Sequence, residues 1–151
     1  MKKHFKYLII IVLTVGMVAS CTSKKATVTA AASDEIADKY WKLVELNGLS
    51  ISAEIAQTPY IMFNQSTGTV SSTGGCNQTM GNYTLDKAAK RVKITALVTT
   101  QKACMSENVD EQLSKVLQSV DNYSISADGK TLLLNRLRMA PLAVFELGEL
   151  K

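Results

Sequence analysis

The sequence predicts an α+β fold in which seven or eight mostly antiparallel strands pack on one amphipathic helix. Three observations lead there. Turn signals recur often, and the apolar runs between them are short, as strands are. The connections are too short for parallel crossovers, which need a dozen or more residues. One segment alone changes from strand-like runs to helical spacing.

Trp41 to Leu46 forms the first run and stops at Asn47-Gly48. Ile51 to Gln57 suits a short helical turn. Pro59 to Phe63 leads into the polar, uncharged run Asn64 to Gly75, which reads either as a presented loop or as a strand pair with a wet face. Gly81 to Leu85 ends at Asp86, and Val92 to Val98 alternates Val92 and Ile94 with Lys93 and Thr95. Val109, Leu113, Val116, Leu117 and Val120 then make an apolar helical stripe, with Asp110, Glu111, Ser114, Lys115 and Gln118 on the opposite side. Asn108, three residues before Glu111, suits the N-cap, with Ser106 as the alternative. Tyr123 to Ser126 stops at Asp128-Gly129, a two-residue hairpin signal, and Thr131 to Leu137 resumes the strand. Leu142 to Leu147 closes the fold.

Ahead of these elements lies a segment of different character. Lys2, Lys3 and Lys6 precede an eleven-residue apolar run, Leu8 to Val18, followed by the small residues Ala19 and Ser20. This is the layout of a secretory signal. The run would span roughly 16 Å as a helix, about half a hydrocarbon core, so a permanent membrane span is not expected. Val18-Ala19-Ser20-Cys21 resembles the bacterial lipobox, which makes Cys21 the expected lipid attachment site; ordinary cleavage with Cys21 as an incidental thiol is the alternative. Residues 1–20 are thus expected to be a lipoprotein signal peptide, 21–37 a lipidated N-terminus and flexible linker, and 38–148 the folded domain. The expected location is the cell envelope, on the outer membrane facing the periplasm, since Thr22 and Ser23 do not form an inner-membrane retention signal of the Asp type.

Charge and composition exclude several functions. The chain carries 17 Lys+Arg and 13 Asp+Glu, and loss of the three leader lysines leaves 14 against 13, no electrostatic footprint for nucleic acid. The single histidine, His4, lies in the same leader. Without it no Ser-His-Asp or Cys-His arrangement and no zinc-protease helix can be built. Ser-x-x-Lys, the phosphate-binding glycine motifs and clustered carboxylates are also missing. Two cysteines without histidine would need carboxylate help that no spacing suggests, so no metal and no cofactor are expected. Assigning Cys21 to lipid leaves Cys76 and Cys104 as an even pair in an oxidising compartment, which suggests a disulfide; a reactive thiol or redox site is the alternative, and no Cys-x-x-Cys spacing supports it.

An ordered set of motifs carries a resemblance. Trp41, Pro59-Tyr60-Ile61-Met62-Phe63, Gly75-Cys76-Asn77-Gln78-Thr79-Met80-Gly81-Asn82-Tyr83 and Thr100-Gln101-Lys102-Ala103-Cys104, followed by a helix, are similar to the META domain family, in its HslJ-like, heat-inducible lipoprotein form. The resemblance covers Trp41 to Leu147. It implies a curved, barrel-like antiparallel sheet around a helix, envelope placement and stress-linked roles, and it offers no catalytic residues. Trp41, Gly75, Asn77, Gly81 and Tyr83 are the expected structural motif. Gly74 and Gly75 can take φ > 0 or let the backbone approach a neighbour, and Asn77 suits an Asx-turn or a left-handed conformation. Trp41 and Tyr83 read as ligand platforms or, more commonly, as buried aromatics with a satisfied polar tip.

The leading functional expectation is a non-catalytic, lipid-anchored, monomeric envelope module that binds an envelope protein or ligand, or supports the envelope under stress. The alternative is a small-ligand or peptide carrier, or an inhibitor, using the curved sheet or the 64–75 loop. An apolar cavity would favour the carrier and a filled core the module.

Overall fold

The computed structural model describes residues 35–149. The signal, lipobox and most of the linker, Cys21 included, lie outside them. The strands are β1 (Tyr40–Leu46), β2 (Leu49–Ser50), β3 (Tyr60–Asn64), β4 (Thr69–Thr73), β5 (Gln78–Asp86), β6 (Arg91–Thr99), β7 (Asn122–Ile125), β8 (Thr131–Asn135) and β9 (Ala143–Gly148), with the helix α1 (Asp110–Ser119) between β6 and β7. Every strand pairing is antiparallel. β1 and β3 to β9 follow one another around the sheet, and β1 returns to pair with β9 from Tyr40↔Gly148 to Leu46↔Ala143. The result is a closed eight-stranded barrel with β2 as an extra strand beside β1.

Period-two alternation fills the inside. Trp41 and Leu43, Ile61 and Phe63, Val92 and Ile94, Leu132 and Leu134, and Ala143 and Phe145 all point inward and are buried. β6 and β7 share a single pair, Arg91↔Asn122, and α1 packs against β6. Its stripe behaves as the spacing predicts: Leu113, Val116 and Leu117, with Val120 just beyond, join the core. No helix among the described residues is long and apolar enough to cross a membrane.

Several local expectations are corrected. The folded part starts before residue 38: Ile36 and Ala37, assigned to the linker, are buried, and Ala37 bridges Phe63. Ile51 to Gln57 forms turns and bends with Ile55 buried, and no helix. Asn47-Gly48 makes a tight turn with both residues left-handed (φ 52° and 80°), and it opens the short β2 that apolar patterning missed. The β7–β8 hairpin forms, but its loop closes between Ser126 and Thr131 with Gly129 alone left-handed, a longer loop than a two-residue turn. Of the two readings of Asn64 to Gly75, the strand reading holds for Thr69 to Thr73, which is strand β4 with Val70, Ser72 and Thr73 buried, and the presented loop is confined to the first residues. The N-cap of α1 is Val109, with no side-chain cap; Asn108 Oδ1 reaches only the Asp110 N–H, at 3.4 Å.

Candidate functional site

The β4–β5 connection, Gly74 to Asn77, meets the first turn of α1. Gly74 has no alternative there: a Cβ on it would lie 2.2 Å from the Asp110 nitrogen and 2.5 Å from its Cα. That close approach lets Gly74 O accept the Val109 N–H at 2.8 Å, while Gly74 N–H donates to Asp110 Oδ1 at 2.6 Å. Gly75 follows with φ +117°, a conformation that L side chains rarely adopt. The second Asp110 oxygen accepts the Asn77 N–H at 2.7 Å, and Cys76 N–H approaches Oδ1 at 3.5 Å. Asp110 is buried, contrary to its expected place on the wet side of the helix. Main-chain N–H groups and the helix N-terminus stabilise its charge there.

Asn77 extends this knot to the segment after β6. Its Oδ1 accepts the Thr100 hydroxyl at 3.0 Å and the Lys102 N–H at 2.8 Å, and its Nδ2 donates toward Cys104 Sγ at 3.2 Å. The Asn77 backbone is not left-handed; its side chain ties the β4–β5 turn to the segment Thr100 to Cys104, while its backbone N–H reaches Asp110 on the helix. Cys76 and Cys104 are joined in a disulfide, with Cα atoms 6.1 Å apart. The thiol alternative therefore does not apply to this form. Cys76, Cys104 and Asp110 place ligand-type atoms within 4.8 Å of one another, but metal ligation by cysteine uses thiolate, and both sulfurs are spent on the crosslink.

The remaining motif residues sit elsewhere. Trp41 is fully buried, its Nε1–H donating to Ile36 O at 2.8 Å, and Tyr83 packs edge-on against Phe63 with centroids 5.0 Å apart. Both are core residues. Gly81 lies at the β5–β6 bulge, where a Cβ would meet Leu97 Cδ2 and Thr95 O at 2.8 Å. Gly75, Asn77, Cys76 and Cys104 thus converge in one latch, and Trp41, Gly81 and Tyr83 hold the barrel. Thr100, which opens the Thr100-to-Cys104 motif, joins the latch, and Asp110 completes it without having been marked by the sequence.

A family comparison matches the META domain over residues 34–149, which contain the whole barrel and the latch. The chain belongs to the META domain family. Three solved structures share the META barrel. A protein from Burkholderia xenovorans is 22% identical, with a TM-score of 0.60 over 75% of this chain and 83% of that one. A second protein, solved by NMR, is 19% identical, with a TM-score of 0.55 over 72% and 88%. A DUF4847 family protein from Bacteroides vulgatus is 16% identical, with a TM-score of 0.50 over 74% and 92%. At these identities the likeness concerns the fold. No curated protein sequence matches the chain significantly.

Proposed function

We propose that this META domain is a non-catalytic binding module of the bacterial cell envelope, tethered through lipid on Cys21 to the outer membrane, facing the periplasm, and serving as an accessory under stress. The observation that supports it most is where the polar motif groups go. The Asp110 carboxylate, the Asn77 amide and both sulfurs are engaged with one another or with main-chain N–H groups, so the motif holds structure and presents no nucleophile or general base. The barrel interior is occupied by side chains such as Trp41, Phe63, Tyr123 and Phe145, which favours a module over a carrier with an internal ligand.

The test has two arms. Full-length protein should label with palmitate and fractionate with membranes, whereas Cys21→Ala should lose the label; a labelled Cys21→Ala product overturns the anchor. A pull-down from solubilised envelope, with the tag in the linker, should recover a specific component. Turnover of an ester, peptide, phosphate or glycan substrate that disappears on changing one acidic residue would overturn the non-catalytic reading.

A further inference from the structure

On a strand pair with one face buried, outward positions are ordinarily polar. On the outer wall of β1 and β3 two of them are tyrosines. Tyr40 faces Met62 and Lys42 faces Tyr60 across the pair, so the two rings meet on the diagonal, with centroids 4.9 Å apart and planes tilted by 37°. They line an open cleft of about 700 Å³ whose rim carries Lys42, Gln57 and Glu149. That volume falls within the range of about 300–1,000 Å³ typical of small-ligand sites.

Both rings are held in place. Gly148 on β9 brings bare backbone against Tyr40; a Cβ there would lie 2.8 Å from Cδ1 of the ring and 3.1 Å from Cε1. The Tyr60 hydroxyl donates to Gln78 Oε1 at 3.4 Å and accepts from Gln78 Nε2 at 3.2 Å. Burial, with a smaller contribution from Tyr60, raises the Tyr40 pKa, so its phenol stays a neutral donor.

The chemistry selects a ligand class. Two fixed aromatic faces want a flat, weakly polar surface, and the rim offers amide, ammonium and carboxylate groups. Lys42 faces Glu146 across β9, and Glu149 lies on the rim, so the mixed charges do not select a strongly ionic ligand. A pyranose ring has the complementary make-up, with C–H groups on one face to stack on a ring and hydroxyls around its edge to meet polar side chains. We infer that the Tyr40–Tyr60 cleft binds a neutral oligosaccharide, so that the envelope component the module recognises is a glycan chain. This rests on the binding-module reading and narrows it to one surface and one ligand class.

Titration of the full chain in detergent, with ring-labelled tyrosines followed by NMR, tests it, using chitotetraose, cellotetraose and, as a rival ligand, decaproline. One or both saccharides should shift the Tyr40 and Tyr60 ring signals, and Tyr40→Ala should weaken binding by about tenfold, the loss of one aromatic contact, while the barrel stays folded and the melting temperature falls by no more than a few degrees, the cost of one cross-strand pair. Tyr60→Phe should keep the stacking and bind. Gly148→Ala should weaken binding by displacing Tyr40. No ring shift from either saccharide up to about 10 mM overturns the inference, because an interaction that weak is not recognition. So does saccharide binding that survives Tyr40→Ala and Tyr60→Ala together, or a response to decaproline alone. An envelope pull-down that recovers a protein while both saccharides fail overturns the glycan assignment and leaves the module reading standing.

Discussion

At Asp110 a carboxylate is buried with no Lys or Arg paired to it among the described residues, and backbone N–H groups from a distant turn donate hydrogen bonds to both of its oxygens. Hydrogen bonds to a charged group contribute about 1.5–3 kcal/mol each, and buried donors left without an acceptor add their own cost. Asp110→Ala should therefore lower stability by about 3 kcal/mol in urea unfolding, and Asp110→Asn, which keeps one acceptor, by less. An Asp110→Ala protein as stable as the parent would show that water replaces the carboxylate. Gly74→Ala should destabilise beyond the usual 1–3 kcal/mol of overpacking, because its Cβ would meet main chain, which cannot swing aside. The sequence exposed half of this latch. Cysteine arithmetic and the Gly-Cys-Asn spacing pointed to Cys76, Cys104, Gly75 and Asn77. Asp110 was hidden, since helical periodicity sorts residues by side and cannot register a loop arriving from 36 residues away.

The β5–β6 hairpin bends at its bulge, where Gly81 faces the extra residue and Ala96 adopts φ +52°. A left-handed alanine costs about 1–2 kcal/mol, while glycine costs about 0.5–1 kcal/mol in chain entropy. Ala96→Gly should thus raise the melting temperature slightly, and a marked loss would mean that the Ala96 methyl packs productively. Strands with alternating Val, Ile, Leu and aromatic residues were legible, as was the apolar stripe of α1. β4 was legible only as one of two readings, a strand with a wet face beside a presented loop, because its Thr69-Val70-Ser71-Ser72-Thr73 sequence buries hydroxyls along with a single Val and so lacks apolar alternation. β2 follows a turn that was recognised but is only two residues long. The expected cap at Asn108 failed because the first turn of α1 is fixed from outside, by Gly74 and the disulfide, and needs no side-chain cap.

Barrel closure depends on β1 meeting β9 across nearly the whole domain, a pairing with no local signature, and only the family resemblance foresaw a barrel-like sheet. Once closed, the molecule has a simple pH response. Residues 35–149 contain no histidine, and ordinary side chains do not titrate between about pH 5 and 9, so stability should be flat across that window. Hydrogen bonds from Lys115 to Glu111, from Leu137 N–H to Asp121 and from Ser126 to Asp128 hold these carboxylates below their usual pKa values. A depressed pKa stabilises above the unfolded value and is lost as pH falls through the folded one, so unfolding should become easier below about pH 4. Lys90, raised first by its hydrogen bond to Glu35, contributes below about pH 10.4 and loses that contribution above it. A melting temperature that changes steeply between pH 5 and 9 would contradict this assignment.

Only one covalent link joins the β4–β5 turn to the segment leading into α1 among the described residues. The Cys76–Cys104 bond spans a separation of 28 residues. In the chain-entropy model a loop of that size is worth about 3–4 kcal/mol, a large share of the roughly 5–15 kcal/mol expected for a whole domain. Reduction would free the two sulfurs, but the Asp110 and Asn77 hydrogen bonds would still fasten Gly74 and Asn77 to the helix and to Lys102. The two restraints act on the same turn and should be non-additive. Reduced protein, or Cys76→Ala/Cys104→Ala, should therefore keep the barrel while its melting temperature falls by several degrees or more. Combining that variant with Asp110→Ala should cost more than the two losses added together, because each restraint holds the turn in place for the other. Unreduced protein should show one 76–104 crosslink by mass spectrometry. Simple additivity in the double variant would mean that the disulfide and the carboxylate stabilise different parts of the fold and that the latch is not one unit.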